Sequence, residues 1–195
     1  MKKIMFNDKY GLTQAVLAKR KTQTRRIIPS ADPYNRRYEG TLKVRNKLGQ
    51  IGLLALFSDV RIFPAYYIGE KVAISQSYRA ISEKSPKANE LKELPGWNNK
   101  MFVRADLMPH HIRITDIRVE RLQDISDKDC LAEGIFAFPR GNRFGFSFLR
   151  GKYTADGVYV DSPHEAYAAL IDKISGKGTW DGNPFVFVYE FELID

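Results

Sequence analysis

The chain has 195 residues, 44% of them hydrophobic and 12% aromatic, with 31 Lys+Arg against 23 Asp+Glu for a formal charge of +8. This is long and apolar enough for a substantial core and excludes a disordered chain, while the excess of cations favours a polyanionic partner or a site for an anionic group. A single cysteine, Cys130, excludes an internal disulfide framework and a cysteine-built zinc site; with no signal-peptide pattern and no apolar run near the ~20 residues that span a bilayer, a cytoplasmic location is expected.

In chain order, Leu12, Ala15 and Val16 set a short helical pattern over 11–19 that leads into Lys19-Arg20-Lys21-Thr22-Gln23-Thr24-Arg25-Arg26, five cations and two threonines in eight residues. In an extended backbone Lys21, Gln23 and Arg25 face one way and Thr22, Thr24 and Arg26 the other; in a helix Lys21 and Thr24 share a face. Either arrangement sets cationic donors beside hydroxyls. That suits an anion or a polar planar ligand and allows a lysine to activate a threonine nucleophile, while the competing reading is a solvated basic face. Residues 29–49, with Asp32-Pro33, Gly40 and Asn46 as turn signals, read as a loop or insertion containing a hairpin. Over 68–77 a Gly69-Glu70 turn precedes a strand with Val72 and Ile74 on one face, and 82–99, with Pro86, Pro95 and Gly96, reads as a surface excursion.

Alternation predicts a long strand over 112–122, wet on one side, with Ile112, Ile114, Ile117, Val119 and Leu122 on the core face. The broken parity of that set predicts a bulge near Thr115-Asp116. Ser126 caps a short helix that Gly134 closes, which leaves Glu133 at the negative end of the helix dipole, where a cation is needed to compensate. Residues 136–159 are rich in Gly, Phe, Arg and Tyr and predict a hairpin or flap. Ser162 and Pro163 then open a second helix with Tyr167, Leu170, Ile171 and Ile174 on its apolar face, ended by Gly176. The run 183–194 is apolar enough to be a strand covered on both faces. The expected product is an α+β domain, a small mixed barrel with short helices at its ends, forming one domain over 1–195 with insertions at 29–65, 82–100 and 136–161.

Other candidate chemistry is weaker. Arg143-Phe144-Gly145-Phe146-Ser147-Phe148 has the wrong glycine spacing for an RNA-recognition strand, although its interleaved arginine and phenylalanines could stack a base beside a cleft. His110 and His111 are adjacent and face opposite ways on a strand, with His164 far off in sequence, so no metal site is read. Cys130 has no local histidine partner and is read as core; Trp97 and Trp180 are read as loop anchors.

The landmarks, in their order, resemble the ASCH family, whose members adopt a PUA-like β-barrel. The likeness is strongest to the phage and bacterial branch with Gly-Leu-Thr-Gln-Ala-Val-Leu before Lys-Thr-x-Thr-Arg-Arg, here Gly11 to Leu17 and Lys21 to Arg26. Also similar are Gly69-Glu70, Met108-Pro109, the run from Val119 to Ile125, Ala132-Glu133-Gly134-Ile135, and Asn183-Pro184 before the last strand; Phe185 and Phe187 stand where tryptophan-rich wording is usual. The resemblance implies binding of RNA or a modified nucleoside in a basic cleft of Lys21, Thr22, Thr24, Arg25 and Arg26, with no metal and no cofactor. Alternatively it implies an amidohydrolase acting on an acetylated cytidine, in which Thr24 attacks, Lys21 takes its proton, and Glu133 holds and tunes the lysine. A second alternative is a phage or prophage accessory protein working through protein contacts. As a base, Lys21 needs a pKa well below the ~10.4 of a free lysine. Arg20, Arg25 and Arg26 push it down and Glu133 pushes it up, a balance the sequence leaves open.

Overall fold

The structure, a computed structural model, describes residues 1–28, 37–58, 60–82, 88–138, 143–146, 148–149, 152–153 and 159–195. The first half carries β1 (Lys2–Ile4), α1 (Leu12–Leu17), β2 (Gln23–Ile27), β3 (Tyr38–Arg45), β4 (Ile51–Phe57), β5 (Arg61–Ile62), β6 (Lys71–Ile74), α2 (Tyr78–Ile81) and α3 (Ala88–Leu91). The second carries β7 (His111–Arg121), α4 (Asp127–Ala132), β8 (Phe136–Ala137), β9 (Phe144–Gly145), β10 (Phe148–Leu149), β11 (Lys152–Tyr153), α5 (Pro163–Ser175), α6 (Thr179–Gly182) and β12 (Phe185–Leu193). Strands dominate and the helices are short, an α+β architecture.

The main sheet runs β1-β6-β7-β12-β2, with β1 and β6 parallel and the other pairs antiparallel. The apolar run at the C-terminal end becomes β12, paired on both sides, and Val186, Phe187, Val188, Tyr189 and Phe191 are all buried. A strand covered on both faces has no wet side on which polar residues could alternate. Along β7 the apolar set faces the core as expected, with Val119 only half-buried. The bulge is where the parity broke: Glu190 pairs with Asp116 and Phe191 with Ile114, leaving Thr115 as the extra residue.

Among the described residues the sheet does not close into the expected barrel. Strands β1 and β2 remain its edges, and what bridges them is a side chain, the Arg26 guanidinium donating to the Met5 carbonyl at 2.7 Å. A second sheet, β3-β4-β5, fills much of the span expected to be insertion, and it packs on the first through Tyr38 and Phe57, whose rings lie 4.7 and 5.5 Å from Phe185. Residues 29–36 lie outside the described residues.

Three local readings need correction. Beside Val72 and Ile74, Ala73 is also buried, because its face of β6 is covered by a second apolar cluster of Tyr78, Ile81, Leu91, Val103 and Met108. That cluster draws the C-terminal part of 82–99 inward, with Leu91 buried. Phe146 is no stacking platform: it is buried, edge-on to Tyr10 at 5.6 Å. Ile174, expected on the apolar face of α5, is 39% exposed. Of the expected flap, β8 with β9 and β10 with β11 form two hairpins, and 139–142, 147, 150–151 and 154–158 lie outside the described residues. No helix among the described residues is long and apolar enough to cross a membrane.

Candidate functional site

The basic segment is placed by three local devices. α1 ends at Leu17, and Lys19 takes a left-handed backbone (φ 57°) that reverses the chain, so that the Arg20 and Lys21 amides both donate to the Ala15 carbonyl. The Thr22 amide donates to the Ala132 carbonyl at 2.8 Å, tying the start of β2 to the last turn of α4. From Gln23 the strand pairs with β12, Thr24 opposite Tyr189 and Arg26 opposite Phe187. On the other side Ser126 accepts from the Asp129 amide at 3.1 Å, and the chain leaves α4 through Gly134 at φ 105°. A Cβ at Gly134 would lie 3.2 Å from Leu12 Cδ2 and 3.6 Å from Lys21 Cδ, so glycine is needed there for both its backbone and its lack of a side chain.

These devices bring together two residues 112 apart in sequence. The Lys21 ammonium donates to Glu133 Oε2 at 2.5 Å and to the Glu133 backbone carbonyl at 2.8 Å. The cation that Glu133 required at the negative helix end is thus Lys21, which also satisfies one of the carbonyls a helix end leaves free. The side chains are 2% and 5% exposed. Burial lowers the Lys21 pKa from its ordinary value of 10.5; the Glu133 carboxylate opposes this and Arg26 and Arg25 reinforce it, so burial wins the contest the sequence left open.

Arg25 has a different role from the expected one. Its fork is taken by three carboxylates: Glu133 Oε1 at 3.2 Å, Glu120 Oε1 at 2.7 and 2.9 Å, and Asp129 Oδ2 at 3.3 Å. Burial opposes its charge, but Glu133, Tyr167 and Glu120 hold its pKa above the usual value. Arg118 joins from β7, donating to Glu190 at 2.5 Å, Asp129 at 2.8 Å and Glu120 at 2.9 Å, and Gln23 donates to Asp129 and Glu190. Of the five cations in the segment, Lys21 and Arg25 are therefore neutralised in a buried ionic network, and the cleft is less basic than the sequence predicts. Thr22 is exposed and does not line the pocket described next, while Arg26 is exposed and does.

Between β2 and α5 lies a pocket of about 200 Å³. Lys21, Thr24, Arg25 and Glu133 line one side, Tyr167, Leu170, Ile171 and Ile174 of α5 another, with Met5, Phe6 and Asn7 after β1 and Arg26 beside them. Lys21, Thr24 and Glu133, the expected catalytic set, thus share one pocket. Thr24 is buried, and its hydroxyl has no hydrogen-bond partner among the described residues. Cys130 is buried and burial pushes its thiol up to about 12, the state of an inert core cysteine. His111 donates its backbone N–H to Asp195, and the His164 ring sits between Asp127 and the Ile125 carbonyl. Sequence reading missed the ring of carboxylates and Tyr167. The acids come from three separate elements and share no motif, and Tyr167 obeys a helical periodicity that reads as core. No family model, no curated protein and no solved structure matches the chain.

Proposed function

We propose that the pocket between β2 and α5 binds a modified nucleoside, free or within RNA, in a domain of the PUA-like ASCH type. The observation that carries this reading is the partly open, largely apolar pocket with a buried Lys21–Glu133 pair and the exposed Arg26 among its lining residues. Apolar walls with a few convergent polar groups suit one planar ring and its substituents. Arg26 is exposed and spends one donor on the Met5 carbonyl, and the rest of its guanidinium suits a phosphate or a base edge. The pocket is too small for a helical stem, so any RNA enters as a single unstacked residue.

A second reading, hydrolysis of an N-acylated cytidine, is favoured by two observations: burial depresses the Lys21 pKa, and the Thr24 hydroxyl is unpartnered in the same pocket. A neutral Lys21 can keep both hydrogen bonds to Glu133 and still offer a lone pair. As Thr24 Oγ1 bonds to the acyl carbon, its proton passes to Lys21 Nζ. That proton then leaves with the amine as the C–N bond breaks, and water hydrolyses the Thr24 ester. Incubation of the purified protein with acetylated cytidine, beside Thr24→Ala and Lys21→Ala, separates the readings. Release of cytidine that both substitutions abolish establishes the hydrolase. Binding without turnover, weakened by Lys21→Ala and Arg26→Ala and little changed by Thr24→Ala, establishes the binding site alone.

A further inference from the structure

Tyr167 lies in the middle of α5 with 2% of its surface exposed, facing Arg25 across 6.0 Å and lining the pocket. A buried tyrosine normally hands its hydroxyl to a protein partner. Tyr189 shows the usual arrangement, accepting from the Ala65 amide at 2.8 Å. The Tyr167 hydroxyl has no such partner among the described residues. Nor is it sealed in: among the described residues the fully occluded side-chain atoms without a partner are Ser75 Oγ and Gln76 Oε1, both elsewhere. Tyr167 lines the pocket, which is the space an unpartnered hydroxyl on this residue can reach.

The other polar atoms decide what it can meet. Glu133 has Lys21 on one oxygen and Arg25 on the other, and two of the three Lys21 donor positions are taken by Glu133. Facing a ligand between β2 and α5 are two hydroxyls, Thr24 on the β2 side and Tyr167 on the α5 side, with the last position of Lys21; Asn7, Arg26 and Ser175 also line the pocket. Neither oxygen of the Glu133 carboxylate is left without a cation. Thr24, Tyr167 and Lys21 can all donate, so an acceptor oxygen is the group that all three can hold together, with an apolar surface of the ligand against Leu170 and Ile171.

We propose that Tyr167 is a ligand-binding residue that donates a hydrogen bond to a carbonyl oxygen of the bound molecule, from the wall opposite Lys21 and Thr24. This rests on the nucleoside reading above and deepens it: the substituent recognised is an acyl carbonyl, and the residue that recognises it lies on α5, outside the basic segment. Burial holds the Tyr167 pKa well above the ordinary 10.0, so the phenol keeps its proton and remains a donor across the working pH range.

The test is isothermal titration of the wild-type protein and Tyr167→Phe with N4-acetylcytidine and with cytidine, beside thermal unfolding of both proteins. The substitution keeps the ring and removes only the hydroxyl. The expected result is a loss of affinity for acetylcytidine of roughly tenfold, as for one neutral hydrogen bond, with cytidine binding unchanged and an unfolding temperature no lower than wild type. Equal affinity of the variant for acetylcytidine, or equal weakening for both ligands, overturns the assignment and leaves the nucleoside reading standing. If the wild-type protein binds neither ligand, both fall together.

Discussion

Glu133 holds Lys21 with one carboxylate oxygen and Arg25 with the other, inside a site almost closed to solvent. Removing it leaves the buried Lys21 without a counter-charge, while Arg25 keeps Glu120 and Asp129, so Glu133→Ala should cost about 3 kcal/mol or more in urea unfolding, whereas a surface ion pair such as Arg113–Glu192 should contribute under about 1 kcal/mol. Lys21 adds a pH dependence whose sign follows from its lowered pKa. In the unfolded chain the lysine keeps its proton up to about 10.5, while in the folded protein it releases it earlier. Between the folded value and 10.5 the unfolded state binds more protons, so the stability deficit caused by Lys21 is full below the folded pKa and fades as pH rises to 10.5. The stability difference, wild type minus Lys21→Met, should therefore rise over that window in urea titrations at stepped pH; a flat difference would show that Lys21 stays charged. Ion pairing of this kind is not visible in the basic run itself, where each of the five cations has the same claim to be solvated.

At the scale of elements, α4 shows what local signals can carry. Its N-cap Ser126, acidic first turn and closing Gly134 all lie within nine residues, and the helix forms where they predict it. Each cap satisfies backbone groups that the helix end leaves open, so the signal is local because the physics is local. Gly134→Ala should lower stability by about 1–2 kcal/mol in thermal or urea unfolding, from the positive φ and the close approach to Leu12. Because the same glycine sets the approach of α4 to Lys21, the variant should also bind ligand less tightly than its stability loss alone would cause. β2 is the opposite case. Its residues favour an extended chain, yet its register on β12 and the amide contact with Ala132, which decide what each side chain meets, come from residues far away in sequence. Strand β1 is three residues long, too short for alternation to announce it, and it exists because β6 is there to pair with it.

For the whole molecule, the formal charge of +8 is the quantity that separates an RNA partner from a small ligand. Binding of single-stranded RNA should weaken steeply between about 50 and about 200 mM salt, as counterions are released from each neutralised phosphate, while nucleoside affinity should change less than about twofold. The neutralised cleft favours the second behaviour, because Lys21 and Arg25 already have protein counter-charges. The larger of the two apolar clusters joins both sheets, with Phe185 packed against Tyr38 and Phe57, so Phe185→Ala should cost about 3 kcal/mol and loosen the β3-β4-β5 sheet in near-ultraviolet circular dichroism. By itself the sequence determined the α+β character, the long strand with its bulge at Thr115, the capped helices and the segment on which the site is built. These depend on periodicity and on groups a few residues apart. The tertiary structure alone decided that the sheet stays open between β1 and β2, that Arg25 is spent on carboxylates, that Thr22 faces away, and that Tyr167 faces the pocket. Those outcomes depend on which residues burial forces together across a hundred positions of chain, and a charge or hydroxyl taken out of water must find its partner wherever the fold has placed one.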